Sequence, residues 1–501
     1  MTSHSLVDDS PFAPIERDAA PVRRALTLEP GQRTVLVTVT VAAALAVAAP
    51  YPVTKIILGV GLGLYWAKLL FQLDERFVGM FVLLLPTLQL VPLETLGVPA
   101  MNWQTIFLMI FAAATATADA PPIRSAAPGW IAYFSILMVL SALYAWLTVQ
   151  PPLWPLLVVV KNWLFPFSLF FLGRRLVRRP EQLWFLLLSV AVVSAALALH
   201  GLRDGVTTGH LLTNRPTGLL TGQANLFAGF LAMQALLCIF VARTRDLGWL
   251  ERGFLVGAAF AMVVTLVFTL SRGAWLAFGV AGLMVGFVTN RAAVVVLIIA
   301  VLVGSRWAPE EAAARADLTI TAVGQAGDSS LEEALDDSAA LRVIQWKTLP
   351  DLLSDSPLWG TGIGTFAQRL GQHTGIYRSA HATMVQIGTE MGVLGLIGYA
   401  GMFAAVAMAC ISRARRAVSG GFLHATGLGL LATTVCLFVL DFSGTRFPAH
   451  TVTTYYWLLI GAFLGSTDRL PSADPSGARG PDTPGPDDFT NDEDPNPSWA
   501  A

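Results

Sequence analysis

From about residue 34 to residue 466 the chain is a series of apolar runs, most of them long enough to cross a bilayer and separated by short polar turns. A crossing takes roughly 20 apolar residues in a helix, because hydrocarbon offers no partner to a bare peptide N–H or C=O. The runs fall near 34–50, 53–71, 77–93, 101–118, 130–149, 155–173, 183–200, 217–242, 252–270, 273–289, 291–305, 382–411, 422–440 and 450–466. They amount to about fourteen transmembrane helices, with twelve possible if the shortest do not cross. The fold class this predicts is an all-α polytopic membrane protein. Composition agrees: 54% of residues are hydrophobic and 13% charged, where soluble domains carry roughly 25% charged.

The polar remainder divides into two tails and one insertion. Residues 1–33 lack the short apolar core and small-residue cleavage site of a secretory signal and read as a cytoplasmic disordered tail. Residues 467–501 turn to Pro, Asp, Gly and Asn, a composition that cannot bury enough apolar surface to fold. Between the membrane segments 34–305 and 381–466 lies an insertion, 306–380, predicted to be a large periplasmic loop. Its first half is acidic (Glu310, Glu311, Asp317, Asp328, Glu332, Glu333, Asp336, Asp337), and its second half holds a helix-like stretch from Ser338 to Leu353 with Leu341, Ile344, Leu349 and Leu352 on one face. The glycine-rich Gly360-Thr361-Gly362-Ile363-Gly364 has neither the preceding strand nor the glycine offset of a dinucleotide-binding loop. It reads as a tight turn that takes the chain back to the membrane.

Charge fixes the expected orientation. Arg174, Arg175, Arg178 and Arg179, then Arg243, Arg245 and Arg252, then Arg413, Arg415 and Arg416 occupy loops that all fall on one side. The positive-inside rule makes that side, and both tails, cytoplasmic, as expected of an inner (plasma) membrane protein. A formal net charge of −1 leaves no basic excess for a nucleic-acid partner. Cys238, Cys410 and Cys436 lie inside apolar runs and read as small core residues, without metal-ligand spacing or a disulfide framework.

The same bookkeeping places Arg215, Arg272, Arg446 and the insertion on the outer side, against the rule. A charge at a hydrocarbon boundary must snorkel, pair or bind something. Arg215 (Asn214-Arg215-Pro216-Thr217-Gly218), Arg272 (Ser271-Arg272-Gly273) and His381 (His381-Ala382-Thr383-Met384) therefore mark a site for an anionic, lipid-carried substrate. Arg446 has a local alternative in a contact with Asp441. Lys161 and Glu390 sit roughly 9 and 12 Å below the outer boundary at 1.5 Å per residue, and an ion pair between them would bury both. His373, His200, His424 and His450 read as structural, and His210 shares the outer loop with Arg215.

Taken as a set, Arg215 to Gly229 with Gln223-Ala224-Asn225, Ser271-Arg272-Gly273, Pro357-Leu358-Trp359-Gly360-Thr361-Gly362, and His381 leading into Glu390-Met391-Gly392-Val393-Leu394-Gly395 resemble the O-antigen ligase and O-antigen polymerase family. That family often has asparagine after the histidine, where this chain has Ala382. The resemblance implies a membrane-embedded, glycosyltransferase C-like enzyme that takes a glycan from an undecaprenyl diphosphate carrier at the outer face. The acceptor it implies is a sugar hydroxyl, on lipid A core or on a growing glycan. Guanidinium groups suit a diphosphate leaving group, so Arg215 and Arg272 are the expected donor-binding residues, with Asn225 in support. An imidazole suits removal of the acceptor proton, so His381 is the expected base.

No metal and no other cofactor are expected. Oligosaccharyltransferase-type enzymes use a metal-binding aspartate in the first outer loop, whereas here that connection, about Ala49 to Pro52, holds no carboxylate. The acidic residues of the insertion show no ligand spacing. Two other readings stay open: a protein O-glycosyltransferase of the same family, and a transporter or flippase, although no repeated halves with midplane charges are visible.

Overall fold

The computed structural model describes residues 26–48, 75–88, 124–207, 215–218, 222–289 and 337–468, with scattered positions from 61 to 72, and every regular element among them is α-helical. The helices are α1 (Pro30–Ala48), α2 (Glu75–Leu88), α3 (Ala127–Thr148), α4 (Leu153–Leu176), α5 (Pro180–Thr207), α6 (Ala224–Val241), α7 (Trp249–Phe268), α8 (Arg272–Thr289), α9 (Asp337–Ser354), α10 (Phe366–Thr374), α11 (Thr383–Arg416), α12 (Phe422–Leu440) and α13 (His450–Thr467). Seven of them, α3 to α7, α11 and α12, are long and apolar enough to cross a membrane, and Arg272–Phe287 of α8 is a shorter apolar stretch. The all-α polytopic architecture is therefore as the hydropathy predicts. The expected spans near 101–118 and 291–305, most of 53–71, the connection at Ala49–Pro52, nearly all of the acidic half of the insertion, His210, and residues 1–25 and 469–501 of the tails lie outside the described residues. Residues 30–33, expected to belong to a disordered tail, instead form the start of α1, and Thr467 and Asp468 are packed at the end of α13.

Helix α13 is the central post. Its side chains are buried from Val452 to Thr467, although its first turns carry His450, Thr451, Thr453 and Thr454. It runs along α4 and also touches α5, α6, α11 and α12. Glycine permits the close approach to α4: a Cβ at Gly461 would overlap the Phe170 carbonyl, one at Gly465 the Arg174 carbonyl, and one at Gly173 would lie 2.5 Å from the Leu458 carbonyl oxygen. Small residues one turn apart let two backbones pack by dispersion where lipid supplies no hydrophobic force between helices. Above this contact Phe134, Trp163, Phe167, Phe447 and Trp457 interlock, with Phe167 and Trp457 centroids 5.0 Å apart and Trp163 and Phe447 5.4 Å apart.

One end of the bundle gathers the arginine-rich turns. The buried carboxylate of Asp468, just past α13, accepts from Arg174 of α4 at 3.1 Å and from Arg413 of α11. Three helices are clamped there, since a buried charge needs its partner to stay buried. Glu75 accepts from Gln32 at 3.1 Å and from Gln182 at 3.0 Å, and Asp246 caps the start of α12 through Phe422 N at 2.6 Å. The opposite end carries the connections 149–152 and 269–271, the stretch 355–382 with α10, helix α9, and the loop 441–449.

At that opposite end α11 is broken. Gly392 has φ +63°, and the helix on either side gives up two internal bonds, from Val393 N to Thr389 O and from Leu394 N to Glu390 O. All four freed groups find partners in the glycine-rich turn. Val393 N donates to Pro357 O (2.8 Å) and Leu394 N to Leu358 O (3.2 Å), while Thr361 N donates to Thr389 O (2.9 Å) and Gly362 N to Glu390 O (3.0 Å). The turn expected simply to return the chain is thus a plug in a membrane helix. Backbone at this depth must be satisfied inside the protein. Gly360, φ +72°, lies so close to α11 that a Cβ would overlap the Glu390 carbonyl carbon.

Candidate active site

Arg215 is fixed by two acceptors. Its Nε donates to the carbonyl of Thr269 at 2.7 Å and its Nη2 to the side-chain oxygen of Asn225 at 2.9 Å. The Thr269 carbonyl is available because α7 stops there: the next residue, Leu270, has φ +53°, a left-handed conformation that costs a side-chain-bearing residue about 1–2 kcal/mol. Asn225 lies in the first turn of α6, which begins seven residues later than the apolar run, just past Gly222, whose φ of +62° does not continue a helix. The fold thus joins Arg215 to Asn225.

The same strained turn sets Arg272. Three residues, Thr269 to Ser271, connect α7 to α8, and the Ser271 carbonyl accepts from Ala274 N and Trp275 N at 3.0 Å each. Arg272 is the first residue of α8 and half-buried, three positions beyond the carbonyl that Arg215 holds. The starts of α6, α8 and α11 all face this end, each adding the partial positive charge of a helix N-terminus.

His381 sits on an extended segment pinned at nearly every residue. Gln345 of α9, fully buried, donates to Ser379 O at 3.0 Å and accepts from His381 N at 2.8 Å. Thr445 donates to Ala380 O at 2.7 Å, and Thr383 N donates to Asp441 O at 2.9 Å. Ala382 is fully buried and is the N-cap of α11. The imidazole is half-buried, and its pKa is pushed below the ordinary 6.5, first by burial and then by the charges of Arg342, Arg378 and Arg446. It remains neutral, and able to take a proton, further into acid than a free imidazole does.

The loop 441–449 joins these pieces. The buried carboxylate of Asp441 accepts from Thr383 Oγ1 and Tyr399 OH, and from the backbone N of Arg446 (3.1 Å) and of Phe447 (3.0 Å). Two residues on, Ser443 packs so closely on Gly273 that a Cβ there would overlap its Oγ, and Arg446 lays its stem beside Gly229 of α6. Trp346 of α9 donates to Phe442 O at 3.2 Å and stacks on its ring. The elements bearing Arg215 with Asn225, Arg272, and His381 therefore all meet this one loop.

Other expectations come out differently. Arg446 and Asp441 do contact, but through the Arg446 backbone N; its guanidinium Nη1 donates to the Leu440 carbonyl at 3.1 Å. Glu390, expected to pair with Lys161, has three hydrogen-bond partners elsewhere. Its Oε1 accepts from Gly364 N (2.9 Å) and Phe366 N (3.1 Å), and its Oε2 from Gln386 at 3.1 Å, so the carboxylate caps the start of α10 from across the chain. The break in α11 brings the N–H groups of Gly364 and Phe366 to this carboxylate, and the N-cap residue of α10 makes no side-chain cap of its own to compete with it. Lys161 is half-buried on α4. His373, on the exposed face of α10, meets Asp355 at 3.1 Å, and His424 contacts Ala414 O at 2.9 Å at the far end. Among the described residues no group of three or more His, Cys, Asp or Glu is gathered as a metal site.

Gln345, Arg342 and Arg378 were not singled out from the sequence. They belong to an extramembrane stretch where polar residues are ordinary, and only the three-residue spacing of Arg342 and Gln345 on one helix face hinted at a shared direction. Residues 257–400 match the family described as O-antigen ligase. None of the curated proteins matches the chain. The matched stretch contains Arg272, Arg342, Gln345, Arg378, His381 and Glu390, whereas Arg215, Asn225, Asp441 and Arg446 lie outside it.

Proposed function

We propose, from the match of residues 257–400 to the family described as O-antigen ligase, that the protein moves a glycan from undecaprenyl diphosphate to a sugar hydroxyl at the outer face of the inner membrane. One observation carries the reading: Arg215, Arg272 and His381 stand on elements that converge on the loop 441–449 at the end of the bundle opposite the arginine-rich turns.

Arg215 and Arg272 bind the diphosphate of the donor. As the bond between the anomeric carbon and the phosphate oxygen breaks, the electron pair leaves with that oxygen, and the charge that grows there is met by guanidinium N–H donors and the start of α8. Thr269 O and Asn225 hold Arg215 in place before the substrate arrives, so little orientation is lost at the moment of reaction. The acceptor oxygen attacks from the opposite face while its proton passes to His381. A single displacement inverts the anomeric centre and releases the lipid diphosphate. No step needs a metal, since arginine supplies the positive charge that a cation would otherwise provide.

The test is transfer by purified protein from a lipid-diphosphate glycan. Arg215→Lys keeps one charge but loses the planar fork, and a loss of about 10²-fold in kcat/KM is expected, as for removal of one preorganised donor. Arg272→Ala is expected to match it at normal abundance, and transfer is expected to persist in excess EDTA. Wild-type rates in either variant would remove that arginine from the site, and EDTA inactivation reversed by magnesium would overturn the metal-free route.

A further inference from the structure

The site holds more positive charge than a departing diphosphate accounts for. Besides Arg215 and Arg272, three arginines from three different elements surround the pinned segment 379–381. Arg342 lies one turn before Gln345 on α9, whose amide grips Ser379 O and His381 N. Arg378 is exposed and three residues before His381. Arg446 follows Thr445, which grips Ala380 O.

Arg446 is the most telling of the three. It is 2% exposed, with Nη1 on the Leu440 carbonyl, and its Nε is buried with no hydrogen-bond partner among the described residues. The nearest carboxylate, Asp441, is already occupied by Thr383, Tyr399 and two backbone N–H groups. Arg342 stands close enough for its charge to act on Arg446 as well as on His381. Positive charges gathered in this way at a membrane boundary repel one another, and the buried one, Arg446, is desolvated as well, a cost relieved when an anion enters.

We propose that Arg342, Arg378 and Arg446 form a second anion subsite beside His381, which binds a phosphate or carboxylate that the acceptor carries near the hydroxyl it presents. The inference rests on the reading of His381 as the acceptor's base and names the acceptor class, an anionic glycan. It assigns the group to the acceptor and not to the donor because Arg342, on the helix that grips Ser379 and His381, and Arg378, three residues before His381, belong to the segment that carries the imidazole, with Arg446 between them and the α6 side from which Arg215 and Arg272 reach the loop 441–449.

The experiment is site-resolved labelling of His381 by diethyl pyrocarbonate, read by mass spectrometry on the full chain in phosphatidylcholine nanodiscs, with inorganic phosphate or pyrophosphate added. Phosphate seated beside the imidazole shields it and favours its protonated, unreactive form, so labelling slows. The concentration giving half of that effect is expected to rise about tenfold or more in Arg342→Gln and in Arg378→Gln, each losing a charge-assisted contact, and to stay unchanged in Arg215→Gln. Both tested side chains lie at least partly in solvent, so these variants keep the fold where Arg446→Gln could lose it. Absence of any phosphate effect in the wild type would overturn the subsite. So would an effect abolished by Arg215→Gln and untouched by the other two, which would assign the anion to the donor site. Labelling needs no turnover: protection without transfer counts against the role of His381 as base, and transfer without protection counts against the subsite.

Discussion

Alanine at position 381 is expected to lower transfer by roughly 10² to 10⁴-fold, the range that one positioned base contributes, with folded protein at wild-type abundance. The hydrogen bond that holds residue 381 runs from its backbone N to Gln345, and alanine keeps it. The pH profile identifies the group. His381 works as a base only when neutral, and burial together with Arg342, Arg378 and Arg446 lowers its pKa. Activity is therefore expected to hold as pH falls to the ordinary imidazole value of 6.5 and to decline only below it, as the ring charges. Arg342→Gln removes one of the depressing charges and is expected to shift that acid limb upward. An acid limb that keeps its position in the residual activity of His381→Ala would assign the titration elsewhere.

Gly360→Ala is expected to be the most destabilising single methyl at this end of the molecule. Alanine at φ +72° costs about 1–2 kcal/mol of backbone strain, and its Cβ would overlap the Glu390 carbonyl carbon, which is backbone and cannot move aside. Lifting the turn away strips partners from four backbone groups in the break of α11, each worth about 1 kcal/mol when paired and more when left buried and bare. Gly375→Ala is the matched control, since Gly375 has φ +75° and nothing within 4 Å of its would-be Cβ. In thermal unfolding of the purified protein, Gly375→Ala should report the strain alone and Gly360→Ala a drop several times larger. Equal drops would mean that the turn does not bear on α11.

Hydropathy located what depends on burial in lipid. The run 422–440 coincides with α12, and 273–289 differs from α8 by one residue, because such helices end where apolar residues end. The apolar run starts at residue 217 and α6 only at Ala224, because Thr217 to Thr221 is apolar enough to continue a span, yet Gly222 takes a left-handed backbone at its end. Arg215, Arg272 and His381 stand out in the sequence because a charged or titratable group at a membrane boundary demands a reason, and Asn225 only because the family pattern includes it. Gln345 was not, since a glutamine in an extramembrane helix demands none until its two bonds to 379–381 are seen. Helix α10 escaped because its cap comes from Glu390, twenty-four residues beyond Phe366, and no local pattern encodes a cap supplied across the chain.

The exchange of backbone bonds at Gly392 bears on how such proteins diversify. A loop between two membrane helices tolerates exchange where its backbone bonds stay within itself. Here the loop is spliced into the span that follows it, because residues 357–362 finish the secondary structure of residues 389–394. A chimera that replaces the loop up to His381 but leaves the recipient's own α11 would join mismatched halves of one joint. A viable graft has to run through Leu394, which carries the histidine and the broken helix along with the new specificity.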